Sequence, residues 1–585
     1  MIKRTFFLVF LIALAATLFF NPNFKTIAAG VAVLLFGMIM LEEGFRVFTK
    51  GPLQKILKNA TNKLYKSIGL GALVTAFIQS SSLVSVITIS FISAGLISLA
   101  GGIGLIFGAN IGTTATAWLV AGFGLKIKIS ALAMPMLVFG IIFSFQKKTS
   151  LKGIGNVLAG LGFFFLGIHY MKEGFDVFKE YIDLTQYAVS GFLGVIIYTG
   201  LGIIITTILQ SSSATLALVL TALAAGQIEY ENALALAIGA NVGTTITAIL
   251  GSISSNASGK RLAGAHLIFN VTTGIVALAF IYPLSNLVNY LSNAFGISAT
   301  DFTLKLALFH TIFNIIGVVI MIPFIKKLEQ FLLRFVKEKV DKADEPKYLN
   351  EAVLEVPSAV IFALLKESKY LYKNTIFEIV AHALNIHRED IKSEVKIKKI
   401  IKQSKEDMQI DVEELYYNKV KTIYGEIIRY ATAAQSQLQL SENDINYITE
   451  IKLANRKMVE IIRDVRELNK NVSNYLVSDN EYIKKEYDKF RKKVVKVLRV
   501  IYLFRTNDEK ELYYEKLMVL KNEAREAIHS SNKSIDKLIR KNLITVDMAS
   551  SLVNDNDNVN DLIKKLIAVA ELLYVEKDLL LENEE

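Results

Sequence analysis

The chain has 585 residues, 52% of them hydrophobic, and its 65 basic and 54 acidic side chains give a formal net charge of +11. It contains no cysteine, which excludes disulfides, thiolate metal sites and cysteine nucleophiles. The hydrophobic fraction indicates a membrane protein. In such a protein an excess of basic residues is typical of cytoplasmic loops, where it sets the orientation, and it does not indicate nucleic-acid binding.

The two halves of the chain differ in composition. Of the 35 glycines, 34 lie before residue 326, and all 7 prolines lie at or before Pro357. The first 325 residues carry 19 basic and 9 acidic side chains, whereas the rest of the chain carries 46 and 45. We therefore predict a transmembrane unit at 1–327, a linker at 328–357 and a cytoplasmic α-helical bundle at 358–585.

In chain order, two apolar runs predict membrane crossings at 5–20 and 25–48. The first has no clear cleavage site followed by a polar start, so it predicts a membrane helix rather than a signal peptide. Residues 69–98 form an uncharged stretch that is too long for one crossing and too short for two. Its middle carries four polar residues, Gln79, Ser80, Ser81 and Ser82. The stretch predicts a re-entrant hairpin with its tip at these residues.

Crossings at 101–122 and 129–145 follow, and the first is interrupted by Gly-Ala-Asn-Ile-Gly-Thr-Thr at 108–114. Two glycines and an asparagine within five residues favour local unwinding, so this segment predicts a broken helix.

The same features recur about 130 residues later. Gln210, Ser211, Ser212 and Ser213 repeat the first polar tip at an offset of 131 residues, and Gly239–Thr245 repeats the interrupted segment at the same offset. This internal duplication predicts one repeat at about 26–150 and a second at about 151–283. The second repeat contains a predicted crossing at 153–171, a hairpin at 191–226, a broken helix that crosses at 232–251 and a crossing at 262–283. A final crossing at 304–325 follows the second repeat.

Charge predicts the orientation. With a cytoplasmic N-terminus, eight crossings and two hairpins place 13 basic residues inside and 6 outside, as the positive-inside rule requires. Each repeat has an odd number of crossings, so the second should be inverted relative to the first. The expected protein is a multi-pass protein of the cytoplasmic (inner) membrane with both termini in the cytoplasm.

The polar tips predict an anion site. No Lys or Arg lies between Lys66 and Lys126, or between Lys179 and Lys260, so the site must use hydroxyls, amides and backbone. Helices that begin at the serines would direct free N–H groups and positive dipole ends at an oxyanion. Side-chain oxygens of the interrupted helices suit Na⁺. These candidate sodium ligands are Asn110, Thr113, Thr114, Asn241, Thr244 and Thr245.

Packing is the competing explanation for each motif. A single serine-rich patch in a membrane helix more often bonds its own preceding turn, but a patch repeated at a fixed offset favours a site. Two further pairs, His266 with Asn270 and His310 with Asn314, each lie on one helix face. For these supporting candidates we favour hydrogen bonding between helices over a direct role in binding.

After residue 357 the chain has no proline, and apolar residues recur at helical spacing, as in the series Met458, Ile462, Val465 and Leu468. This pattern predicts an α-helical bundle. Its charge runs predict an ordinary amphipathic surface rather than catalysis.

The duplicated Gln-Ser-Ser-Ser, each copy followed by Gly-Ala-Asn-x-Gly-Thr-Thr, resembles the type II sodium–phosphate cotransporter family over residues 26–325. The bundle resembles the PhoU-like domains of bacterial members. The resemblance implies an all-α, inverted-repeat transporter with inorganic phosphate as substrate, Na⁺ as coupling ion and no organic cofactor. It implies that Gln79–Ser82 and Gln210–Ser213 bind phosphate, and that the hairpins and broken helices hold sodium.

Two alternatives stay open from the sequence. One is export of phosphate, or transport of another oxyanion. The other is a membrane phosphate sensor that signals through the bundle. An enzyme is not expected, because no nucleophile–base pair or metal cluster stands out. The expected partners are phosphate, sodium and the lipid bilayer, without nucleic acid, and a homo-oligomer is left open.

Overall fold

The structure is a computed structural model, and it describes residues 11–12, 14–49, 61, 63–126, 129–181, 183–338, 345–406 and 408–575. The chain divides into two compact units, Met1–Glu338 and Lys339–Glu585. The described residues of both units are helical or irregular, without strands. The protein is therefore an all-α membrane protein, as predicted.

The described helices of the first unit are α1 (Pro22–Thr49), α2 (Leu64–Ile78), α3 (Ser81–Ser93), α4 (Leu99–Trp118), α5 (Ile129–Ser144), α6 (Thr149–Tyr181), α7 (Gly191–Leu209), α8 (Ser212–Ala224), α9 (Tyr230–Gly243), α10 (Thr245–Ser252), α11 (Ala257–Ala279), α12 (Ile281–Ala294), α13 (Phe302–Met321) and α14 (Ile325–Phe335). Among the described residues, seven helical stretches are long and apolar enough to span a membrane. Six of them overlap predicted crossings, and the seventh, Gly191–Leu209, is the first arm of the second predicted hairpin.

Two predicted crossings fall outside these seven. The segment 5–20 lies partly outside the described residues. In the segment 129–145, the apolar helix Leu132–Ser144 is shorter than a typical crossing.

Helices α2 and α4 lie side by side and run in the same direction. A Cβ atom built on Gly104 would lie 2.7 Å from Cβ of Ser67, and one on Gly108 would lie 2.8 Å from the backbone N of Ala72. Further along, Gln79 and Thr116 are hydrogen-bonded. Because contacts advance together along both helices, α3 must run back between the end of α2 and the start of α4.

The second repeat reproduces this arrangement. Thr199 of α7 donates a hydrogen bond to the carbonyl of Ala235 in α9. A Cβ on Gly243 would lie 2.8 Å from Cβ of Thr206, so α7 and α9 also run in parallel. Helix α8 therefore returns along them as α3 does in the first repeat.

We call α2 with α3, and α7 with α8, the two repeated helix pairs. Helices α1 and α6 precede these pairs in the chain, and they pack closely against each other in opposite directions. A Cβ on Gly30 would lie 2.9 Å from the carbonyl oxygen of Gly167, one on Gly37 2.7 Å from that of Gly160, and one on Gly44 2.9 Å from that of Gly153. Glycine is needed along this seam because any side chain would force the two backbones apart.

The predicted unwinding at 108–114 is wrong for the first repeat. Helix α4 runs without interruption from Leu99 to Trp118, and only then continues as a π-helical turn, Leu119–Gly124. Its glycines serve close packing against α2: a Cβ on Gly108 would overlap the carbonyl oxygen of Ile68. In the second repeat the interruption is a single residue, Thr244, between α9 and α10.

The second unit is a helical bundle. Its helices are α15 (Pro357–Tyr370), α16 (Phe377–Ala383), α17 (Arg388–Lys392), α18 (Ile397–Gln403), α19 (Val412–Leu415), α20 (Thr422–Gln437), α21 (Glu442–Leu476), α22 (Glu481–Thr506), α23 (Lys510–Arg540) and α24 (Val546–Tyr574). Met458, Ile462, Val465 and Leu468, expected from their spacing to face a core, are buried.

Candidate functional site

Each Gln-Ser-Ser-Ser motif is a sharp break between two helices. Gln79 ends α2 in the left-handed region with φ 60°, and Gln210 ends α7 in the same way with φ 53°. A left-handed residue at this position closes a helix, and it is seldom a residue other than glycine or asparagine. The following residue is extended in both motifs, and the chain then enters the next helix.

The second residue of each motif caps the new helix. The Ser80 hydroxyl accepts a hydrogen bond from the Leu83 N–H, and the Ser211 hydroxyl accepts one from the Ala214 N–H, both at 3.2 Å. Serine is among the preferred N-cap residues for this reason. Helices α3 and α8 thus begin at Ser81 and Ser212, where the sequence predicted helix N-termini.

The two motifs meet in space although they lie about 130 residues apart. Thr116 of α4 lies between them: its Oγ1 is 2.7 Å from Gln79 Oε1 and 3.1 Å from Ser213 Oγ. A second link joins Ser82 Oγ to the backbone carbonyl of Gln210 at 3.5 Å. The first and second tips therefore form one polar cluster.

Burial of the cluster is uneven. Gln79, Ser81, Ser212 and Ser213 are all at most 9% exposed, whereas Gln210 is exposed. Two helix N-termini meet here in a part of the chain without Lys or Arg, so the electrostatics come from N–H groups and helix dipoles. Such a cluster can bind a small oxyanion through hydroxyls and backbone N–H groups.

The first three predicted sodium ligands are bonded to their own helix. Asn110 Nδ2 donates to the Ile106 carbonyl, and the hydroxyls of Thr113 and Thr114 donate to the carbonyls of Ala109 and Ile111. Thr244 and Thr245 are bonded in the same way in the second repeat, at distances of 2.9 and 2.8 Å. Because hydroxyl oxygens keep acceptor capacity when they donate, these bonds do not exhaust their ability to bind a cation.

Asn241 behaves differently from Asn110. Its Nδ2 donates to Asn314 Oδ1 at 2.7 Å, and its Oδ1 lies 3.1 Å from His310 Nε2. All three side chains are at most 5% exposed. The pair on α13 therefore takes part in hydrogen bonding between helices, as the sequence favoured.

The matching pair on α11 has no such network. The ring nitrogen Nδ1 of His266 and both side-chain polar atoms of Asn270 are buried without a partner among the described residues. Phe269 packs on Phe107 of α4 with ring centroids 4.3 Å apart. The pair thus lies beside the helix that carries Asn110, much as His310 and Asn314 lie beside Asn241.

Thr116 was missed at the sequence level. Its counterpart one repeat later is Thr247, so the same duplication could have pointed to it. The hydroxyl of Thr247, however, donates to the Thr244 carbonyl within its own segment. The sequence alone does not indicate whether Thr116 or Thr247 bridges the two tips.

These features define a class: a multi-pass, all-α membrane protein in which two repeated helix pairs bring their polar tips into one partly buried cluster. The described residues contain no group of three or more His, Asp or Glu side chains that could hold a metal. A hydroxyl and amide cluster of this kind is typical of a solute-binding centre rather than of a catalytic site.

Through this membrane unit the chain belongs to the Na⁺/Pi-cotransporter family, which it matches over residues 33–173 and 195–335. Each matched segment contains one Gln-Ser-Ser-Ser motif and the Gly-Ala-Asn-x-Gly-Thr-Thr segment that follows it, although both matches begin and end later than the predicted repeats at 26–150 and 151–283. The family is one of transporters, and the resemblance noted from the motifs is thereby confirmed.

Several relatives match part of the chain. The chain is 28% identical over 344 residues to "Putative inorganic phosphate export protein YjbB" of Salmonella typhimurium, a match covering 58% of this chain and 61% of that protein. It is 28% identical over 298 residues to "Uncharacterized protein YqeW" of Bacillus subtilis, covering 50% of this chain and 92% of that protein. It is 35% identical over 111 residues to mouse "Sodium-dependent phosphate transport protein 2C", covering 18% of each. No solved structure matches the chain.

Proposed function

We propose that the protein is a sodium-coupled symporter of inorganic phosphate that holds the anion at the two Gln-Ser-Ser-Ser tips. The observation that carries this proposal is the bridge through Thr116, which brings Gln79 and Ser213 of the two motifs to one hydroxyl. The N-termini of α3 and α8 start at these tips, and helix N-termini bind phosphate through free N–H groups. Membership of a Na⁺/Pi-cotransporter family supports phosphate as the anion.

The proposed topology is an inverted repeat with two re-entrant helix pairs. Helices α1 and α6 are the sequence counterparts that precede the two pairs, and their opposite directions support inversion. In the first pair, α2 and α3 have 15 and 13 residues, which is short of the roughly 20 that a crossing needs. The expected location is the cytoplasmic membrane, with both termini in the cytoplasm on charge grounds.

Sodium provides the positive charge that the site lacks. Phosphate carries one to two negative charges at neutral pH, whereas each helix end supplies only about half a positive charge. We propose Asn110, Thr113, Thr114 and their counterparts Asn241, Thr244 and Thr245 as the ligand set. Because α4 is continuous, its ligands are side-chain oxygens rather than unwound carbonyls.

The direction of net transport is a separate question. The name of the Salmonella relative refers to phosphate export, so export is the alternative within transport. A coupled carrier moves its substrate in whichever direction the combined gradients of ion and substrate favour, and the same site serves both.

The test is radiolabelled phosphate flux into liposomes that contain the purified full chain, with an inward Na⁺ gradient or with Na⁺ replaced by choline. We expect flux that requires Na⁺, together with phosphate affinity that rises with Na⁺ concentration, because coupling between two ligands is reciprocal. Equal phosphate affinity in Na⁺ and in choline would contradict sodium coupling.

The same liposomes separate a transporter from a sensor. A sensor would bind phosphate at equilibrium without moving it in either direction under any gradient. Sulfate and a dicarboxylate as competitors identify the anion class. Competition by sulfate as strong as that by unlabelled phosphate would reassign the substrate.

A further inference from the structure

Helix α14 extends the last membrane helix beyond what a bilayer needs. Helix α13 has 20 residues and is ~30 Å long, which matches the hydrocarbon thickness. A 3₁₀ turn containing Pro323 follows, and α14 adds 11 residues. The continuous stretch Phe302–Phe335 has 34 residues and would be ~51 Å long, so α14 lies at or beyond one membrane surface.

Contacts show which end of the unit this is. Arg261, near the start of α11, donates from Nε to the Val336 carbonyl at 2.9 Å and lies 3.2 Å from Glu338. Asn256, which caps α11, donates to the carbonyl of Ser93 at the end of α3. Helix α14 therefore lies on the side of the unit where α3 ends and α11 begins, which the positive-inside rule assigns to the cytoplasm.

Three surfaces run along α14. Ile325, Leu328 and Leu332 are at most 7% exposed and form the face that packs on the unit. The basic residues Lys326, Lys327 and Arg334 are all exposed, and at 3.6 residues per turn their centre lies about 180° from the buried face. We call these three residues the basic face of α14.

An apolar flank separates the buried face from the basic face. Phe331 and Phe335 are 47% and 70% exposed, and their rings pack on each other at 4.3 Å. They lie about 70° from the centre of the buried face. A helix with protein on one face, exposed phenyl rings on its flank and basic residues opposite fits the boundary between acyl chains and headgroups.

The basic face has no acidic counterpart among the described residues of the first unit. Lys327 lies over the Phe324 ring at 5.7 Å, and no carboxylate of those residues lies within 4.0 Å of Lys326, Lys327 or Arg334. The single acidic residue on α14 is Glu329. An unpaired, exposed basic face beside an apolar flank is complementary to an anionic lipid surface.

We propose that the basic face of α14 binds the phosphate groups of anionic phospholipids in the adjacent leaflet. The Phe331–Phe335 flank would lie at the boundary between the acyl chains and the headgroups and hold the helix at that depth. Each basic residue near an anionic surface contributes about a fivefold preference, so anionic lipid should be enriched at α14 over a zwitterionic lipid. This inference does not depend on the transported solute.

The test uses a tryptophan reporter on α14. Trp118 is the single tryptophan of the chain. A Trp118→Phe, Phe331→Trp protein therefore reports from α14 alone. It is reconstituted in mixtures of phosphatidylcholine and phosphatidylglycerol, with bromine-labelled chains on one lipid at a time. Quenching by each lipid gives their relative affinity at α14. We expect phosphatidylglycerol to be favoured about fivefold or more at low salt, and much less at about 1 M salt, where the Debye length is ~3 Å.

Charge variants decide whether the basic face is responsible. Lys326→Gln, Lys327→Gln, Arg334→Gln together should bring the preference close to one, whereas Lys326→Arg, Lys327→Arg should retain it. The matched control, Lys147→Gln, Lys148→Gln, Lys152→Gln, removes three exposed basic residues elsewhere and should leave the preference unchanged.

Three results would overturn the proposal. The first is no preference for phosphatidylglycerol in the reporter protein. The second is an equal loss of preference in the control variant. The third is displacement of phosphatidylglycerol by inorganic phosphate but not by chloride at matched ionic strength, which would assign the face to free phosphate.

Discussion

The two repeated helix pairs have the same backbone plan and different hydrogen bonds. In the second pair, Thr206 and Thr215 face each other across the tip and are joined at 2.9 Å. The corresponding positions of the first pair are Thr75 and Val84, and the buried Thr75 hydroxyl has no partner among the described residues. Because the first pair has Val84 where the second has Thr215, the hydroxyl of Thr75 lacks the partner that Thr206 has.

The hydrogen bonds of the two corresponding asparagines, Asn110 and Asn241, also differ between the repeats. Asn241 connects α9 to His310 and Asn314, whereas Asn110 bonds to the Ile106 carbonyl of its own helix. Thr116 bridges the tips, whereas Thr247 does not. The comparison shows that the tips of the two helix pairs share one backbone geometry, which depends on their left-handed glutamines and serine caps, whereas the side-chain hydrogen bonds differ between the copies. The two copies should therefore respond unequally to the same mutation.

The largest difference is expected between Asn241→Leu and Asn110→Leu. Leucine at 241 leaves His310 Nε2 and Asn314 Oδ1 without Asn241 in a buried network, at a cost of about 1–3 kcal/mol for each unpaired group. Leucine at 110 removes one bond to a helix carbonyl, which is worth about 1 kcal/mol. Thermal unfolding in detergent should show a clearly larger loss of stability for Asn241→Leu, and equal losses would remove the distinction between the networks.

The second prediction tests whether the tips bind phosphate equally. A hydroxyl that bonds an anion contributes about 1.5–3 kcal/mol, so Ser81→Ala and Ser212→Ala should each weaken phosphate binding roughly 10–100-fold. Equilibrium binding of labelled phosphate measures both. Weaker phosphate binding in one variant alone would assign the anion to one tip. Unchanged phosphate affinity in both variants would indicate that the serines contribute to packing and not to binding.

A smaller effect is expected from the bridge. Thr116→Val keeps the shape of the side chain but removes the hydroxyl shared by Gln79 and Ser213, and it should weaken phosphate binding about 5–10-fold. Thr116→Ser should restore most of the affinity. Thr247→Val is the matched control, since its hydroxyl bonds within its own segment. If Thr247→Val weakens binding as much as Thr116→Val, the bridge has no special role.

The smallest expected difference concerns the threonines behind the tips. Thr206→Val removes the bond to Thr215 and should cost about 1 kcal/mol of stability. Thr75→Val replaces an unpaired buried hydroxyl with a methyl group and should be neutral or slightly stabilising. Thermal midpoints of the two variants measure this contrast. A destabilised Thr75→Val would indicate that Thr75 has a bound partner, such as water or an ion.

Much of this plan could be predicted from the sequence because it follows from local physics. Long uncharged apolar segments predict the membrane helices, and a motif repeated at a fixed offset predicts the internal duplication. Serine after a helix end predicts a new N-cap, and the structure has one at Ser80 and another at Ser211. The anion and sodium roles of the site residues, by contrast, stay predictions.

The tertiary structure decided what the glycines and polar side chains do. The sequence of 108–114 suggested unwinding, but Gly108 instead lets α4 approach the backbone of α2, and the helix stays continuous. Which hydroxyl bridges the tips, and which asparagine joins a network, depends on the neighbours that folding supplies. Buried polar groups must find partners wherever the packing places them, and a single sequence does not contain that geometry.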